Sequence, residues 1–116
     1  MIGSPFTVAA TVSARGAPVA SAVAGFGPHE VRVSRSQVAF RRRRGFAYLW
    51  RPGQYVDSAV PAVLSVALPH ERPSPRWKEV VHPSPGVWMH HLELSMPEEV
   101  DHQVRSWLHD AYVAAA

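Results

Sequence analysis

The sequence predicts an α+β fold: a mainly antiparallel sheet of four to five strands, packed by a C-terminal amphipathic helix and a short N-terminal helix. Three observations predict it. Between residues 31 and 94, short apolar runs at strand period alternate with glycine- and proline-rich breaks. From residue 95 onward a single apolar stripe repeats at helical period. The 116 residues are 47% apolar, so residues 1–116 read as one domain with a buried core.

Pro18 fits the first turn of a helix over residues 18–24, Gly25 fits its stop, and Val19, Val23 and Phe26 recur on one face. The small, apolar N-terminus lacks a basic leader region and carries Arg15 and Pro18, so it reads as part of the fold and not as a secretion signal. After "GFGPHE", Val31 and Val33 alternate with Arg32 and Ser34, the pattern of a first strand. "QVAFRRRRGFAYLWR" predicts a hairpin turning at Arg43, Arg44 and Gly45, with positive φ at the glycine. Alternation assigns Phe46, Tyr48 and Trp50 to one face of its second arm, which "RPGQ" ends.

"AVLSVAL" at 62–68 predicts a strand covered on both faces. The segment from Pro69 to Gly86 holds five prolines and predicts an irregular excursion, with "WKEVVH" a short extended piece inside it and Trp77 its anchor. "VWMHHLEL" is the last strand. Ser95 and Glu98 have the spacing of a capping box, and Val100, Val104, Trp107, Leu108 and Ala111 form the stripe of one continuous helix, with Asp101 and Arg105 placed to pair on its wet side.

Composition removes several function classes. With no cysteine there is no disulfide and no thiolate metal site, and a reducing cytoplasm is the expected setting. The longest apolar run, residues 59–68, is broken by Pro61 and Ser65 and is half the length a spanning helix needs, so no membrane partner is expected. No phosphate loop, dinucleotide loop, G-x-S-x-G elbow or H-E-x-x-H motif is present, and no cofactor is implied.

Together, "GP" at 27–28, "VAFRRRRGFA" at 38–47, "PRWKEV" at 75–80, "HHLEL" at 90–94 and "EVDHQVRSWLHDAY" at 99–112 resemble the bacterial family catalogued as domain of unknown function 5655. The likeness runs from about residue 27 to 112, with residues 1–26 outside it. It implies a small α+β domain with an antiparallel sheet and terminal helices, found alone or fused to other bacterial modules. It implies no activity.

Two groups of residues carry what chemistry the sequence offers. His90 and His91 fall on opposite faces of their strand, so they are not one chelating pair. His91 shares a face with Glu93, and the two form an acid–base dyad or half a metal site if His70 or His82 completes it. The other reading makes His90 a neutral core residue, hydrogen-bonded to backbone, and His91 and Glu93 a plain polar pair.

The second group is Arg41, Arg42, Arg43 and Arg44, a polyanion-binding tip or a solvated turn. Residues 1–54 set eight arginines against one glutamate, a net +7, and the remainder is −4. That asymmetry fits an acidic partner such as nucleic acid, or two halves that face each other. Eleven arginines against one lysine also fit GC-rich coding. The expected function is a non-enzymatic binding or accessory module, with a small enzyme or metal-binding protein as the alternative and a homodimer through a strand edge as a further expectation.

Overall fold

A computed structural model describes residues 17–50 and 62–116. A helix, α1, covers residues 17–26. Six strands follow: β1 (Glu30–Val33), β2 (Gln37–Arg41), β3 (Gly45–Trp50), β4 (Ala62–Leu68), β5 (Glu79–Ser84) and β6 (Val87–Leu94). A 3-10 turn, Pro97–Glu99, leads to α2 (His102–Ala114). The strands form one antiparallel sheet in the order β1-β2-β3-β4-β6-β5.

The sheet has six strands, not four or five. The additional one is β5, inside the proline-rich excursion. Pro83 lacks the N–H a central strand must donate, and the pairing with β6 is interrupted between Val81 and Ser84, so the segment is confined to the sheet edge. Residues 69–78 carry the chain from β4 past the end of β6 to that edge, and β6 returns between the two.

Cross-strand register sorts the side chains into two layers. One row runs across all six strands: Val31, Phe40, Ala47, Val66, His90 and Val80. The next holds Val38, Leu49, Leu64 and Leu92. Both helices lie on this side: Val19 and Val23 of α1, with Val104, Trp107, Leu108, Ala111 and Tyr112 of α2, join these rows in one core. The opposite face carries Tyr48, Ser65 and His91 in one row and Trp50, Val63 and Glu93 in the next. All seven residues of β4 are buried, as its near-continuous apolar run predicts.

Phe46, Tyr48 and Trp50 do not share a face. Phe40 pairs with Ala47 while Arg41 pairs with Gly45, so Phe46 is an extra residue on β3. This bulge turns its ring to the helix side, where it meets Tyr112 edge-on at 5.6 Å. Gly45 has no positive φ either; it opens β3 beneath Tyr48, and a Cβ there would lie 2.7 Å from Tyr48 Cζ. The turn itself is Arg42–Arg44, closed by Arg42 N–H donating to the Arg44 carbonyl at 3.0 Å.

At the N-terminal end, α1 continues past Gly25 through Phe26 and stops at Gly27, whose φ of +142° suits glycine. Tyr112 Oη donates to the Pro28 carbonyl at 3.0 Å and would collide with a Cβ on Gly27. The expectations for residues 1–16 and for "RPGQ" lie outside the described residues.

The C-terminal segment is a turn followed by a helix, not one rod. Glu99, not Glu98, performs the reverse capping, its carboxylate accepting from the backbone N–H of Ser95 and Met96 at 2.6 and 2.8 Å. Asp101 is the N-cap of α2, accepting from Val104 N–H at 3.1 Å. Arg105 bonds the Val100 carbonyl and so does not pair with Asp101. Val100, Val104, Trp107, Leu108 and Ala111 are all buried, so the stripe persists through the break.

Leu108 is wholly enclosed at the centre of that stripe. Leu108→Ala is expected to cost about 2–5 kcal/mol in chemical denaturation. A loss under about 1 kcal/mol would show that α2 does not seal the core.

Candidate functional site

The arginine tip meets the carbonyl end of α2. A helix leaves its last carbonyls without intrahelical partners and carries partial negative charge there, and α2 has no basic residue in its last turn. The β2–β3 turn supplies what is missing. Arg42 donates to the Tyr112 carbonyl at 3.0 Å, and its guanidinium lies over the Tyr112 ring, 3.9 Å from the centroid. Arg43 donates its backbone N–H to the Ala115 carbonyl at 2.9 Å, and Arg44 reaches the Ala114 carbonyl at 3.5 Å.

The four arginines therefore divide. Arg42 and Arg44 spend their side chains on the helix end. Arg41, on β2, and Arg43, exposed in the turn, have no carboxylate partner among the described residues. Among the described residues, ion pairs join Arg32 to Glu30, Arg72 to Asp110, Arg76 to Asp101 and Lys78 to Glu93, each within one half of the chain. The arginines of the turn thus meet the acidic half at the carbonyl end of α2.

At the other end of α2, Arg76 gathers the proline-rich segment onto the helix start. It donates to both Asp101 carboxylate oxygens, to Gln103 Oε1 and to the Glu99 carbonyl, each at 3.0 Å. The Val104 N–H, with Arg76 behind it, holds the Asp101 carboxyl below the usual carboxylate range. Trp77 anchors the segment, its Nε1 donating to the Arg72 carbonyl and its ring lying 4.1 Å from Trp107 and 4.8 Å from His90.

His90 completes this anchor. It is 0% exposed, its Nδ1 donates to the Trp88 carbonyl at 2.9 Å, and its Nε2 accepts the Arg72 N–H at 3.0 Å. Accepting at Nε2 requires the neutral ring. Burial lowers its pKa below the ordinary 6.5.

His91 stands on the opposite face. Its Nδ1 lies 2.7 Å from Ser65 Oγ, which also accepts Trp50 Nε1–H at 2.8 Å. Since the indole only donates, the economical arrangement has the Ser65 hydroxyl donating to His91. Ser65 is only 3% exposed, so the arrangement serves first to satisfy a buried hydroxyl. Glu93 shares this face but pairs with Lys78 at 3.4 Å. His82 stacks on Trp88 at 3.8 Å, and His70 lines a depression with Arg72, His109 and Asp110 beside α2. The structure does not bring either to His91, and no group of three metal-ligating side chains forms among the described residues.

Sequence reasoning missed Ser65 and Trp50. The signal was a lone serine in a strand otherwise apolar on both faces, a position that demands a hydrogen-bond partner.

Two outcomes follow from these contacts. Arg42→Ala is expected to lower stability by about 1–2 kcal/mol. Arg43→Ala, whose helix contact is made by backbone, should stay within about 0.5 kcal/mol. Equal effects in thermal melts would refute the division of labour. The unfolded chain takes up a proton near pH 6.5 that folded His90 resists, so its contribution is whole above that pH and is lost as pH falls toward the depressed folded value. Between about pH 7 and 5 the wild type should therefore lose more stability than His90→Gln; parallel pH profiles would contradict it.

Comparison with known proteins adds family membership. No curated protein and no solved structure matches the chain. The family model described as "Domain of unknown function (DUF5655)" matches residues 17–114, beginning ten residues before the resemblance visible at Gly27 and so taking in α1. From α1 to the last residue of α2, the chain belongs to the DUF5655 family.

Proposed function

We propose that this domain is a non-enzymatic binding or accessory module and that its ligand is a polyanion such as nucleic acid, held at the tip of the β2–β3 hairpin. The observation that carries this reading is charge at the tip that no ion pair engages among the described residues, Glu30 across from Arg41 being paired with Arg32. Arg41 and Arg43 have no carboxylate partner among the described residues, while Arg42 and Arg44, committed to α2, fix the turn that presents them. A guanidinium held on a rigid hairpin loses less freedom on meeting a phosphate than one on a mobile loop. A cysteine-free composition supports a cytoplasmic setting, and the family resemblance a bacterial one.

The reading is tested with labelled single-stranded DNA and RNA oligonucleotides across a salt series. Binding should weaken steeply as salt rises, and Arg41→Ala/Arg43→Ala should weaken it further. The double variant should flatten the slope of log K against log salt by about 1.5, as expected for two lost phosphate contacts, with melting unchanged. Absence of binding at low salt, or binding indifferent to the double substitution, would overturn it.

A further inference from the structure

The two edges of the sheet are built differently. At β5 the outer edge carries Pro83 and an interrupted register, both of which prevent another strand from adding on. β1 has neither. Its four residues, Glu-Val-Arg-Val, are all exposed, with Val31 at 50% and Val33 at 51%. Those valines lie on the helix side of the sheet, opposite Phe40 and Val38, where α1 and α2 do not reach to cover them. An unprotected edge with exposed β-branched residues is a template for another strand.

We infer that β1 pairs antiparallel with β1 of a second copy of this chain, about a twofold axis at Val31, joining two six-stranded sheets. Charge selects both the partner and the register. Directly opposed residues must share a face, so the twofold axis passes through a residue. An axis at Arg32 would set two arginines directly against each other, which destabilises a strand pair. The axis at Val31 sets valine against valine and places Glu30 of each copy opposite Arg32 of the other, two matched pairs from a four-residue strand. Glu30 and Arg32 already point the same way, 3.3 Å apart within one chain. The sequence of β1 is thus complementary to itself at this register. Glu30 is the cross-strand neighbour of Arg41, but the inference stays separable from the polyanion reading, because the test by Val31→Cys leaves Glu30, Arg41 and Arg43 unchanged.

The test uses the full chain and its lack of cysteine. Val31→Cys introduces the only thiol, and the twofold axis brings two copies of it together. Under mild oxidation it should cross-link into a dimer several-fold faster than Val113→Cys, a control on the outer surface of α2 where the valine is 55% exposed. Arg32→Glu alone and Glu30→Arg alone should each sediment as monomers, while an equimolar mixture of the two should form a heterodimer. The double exchange Glu30→Arg/Arg32→Glu should restore the homodimer. A wild type that sediments as a monomer at every concentration, equal cross-linking of the two cysteine variants, or a mixture no heavier than its components would overturn the inference. The cysteine comparison keeps the wild-type charges, so it decides the matter even if a charge variant fails to fold.

Discussion

The constraint on which the structure depends is the closure of both ends of α2, the carbonyl end by a distant turn and the amide end by its own N-cap held from a distant segment. A helix lying across a sheet has its apolar stripe to hold it down, but the stripe alone permits sliding and rotation, and the exposed carbonyl and amide ends have to be satisfied. Here the carbonyl end is met by the β2–β3 turn through Arg42, Arg43 and Arg44. The amide end is met by Asp101, itself gripped by Arg76 from the segment that crosses to the far edge. The helix is thereby tied to the sheet's early hairpin and to its late excursion. Its buried face, from Val104 to Tyr112, comes to rest over β3 and β4.

Much of this was legible in the sequence, and where it was not, the causes are local. The stripe from Val100 to Ala111, the hairpin and the fully covered β4 follow from periodicity alone. The continuous helix did not hold, because Ser95 and Glu98 imitate a capping box while Asp101, six residues on, caps more effectively with Arg76 beside it. β5 is legible only as the short extended piece "WKEVVH" and not as a sheet strand, because prolines read as irregularity and an edge strand tolerates them. The bulge that turns Phe46 inward cannot be seen in alternation, which it breaks. As for the candidate site, four consecutive arginines look equivalent in sequence. Only tertiary placement separates two that serve a helix end from two that remain available.

The histidines show the same lesson from the other side. His90 and His91 are neighbours in sequence and have opposite surroundings: one is sealed between Trp77 and the Trp88 carbonyl, the other shares a serine with Trp50. Alternation along β6 foretold the separation. It did not foretell that Ser65 would meet the Nδ1 of His91.

The claim most exposed to direct measurement is that the arginine turn is bound to the end of α2. Amide hydrogen exchange followed by NMR tests it at one residue, Arg43, whose side chain is in solvent but whose N–H points at the Ala115 carbonyl. Exchange at that amide slowed to the rate of the last turn of α2 is the predicted result. Exchange at the rate of an unprotected turn would contradict the account.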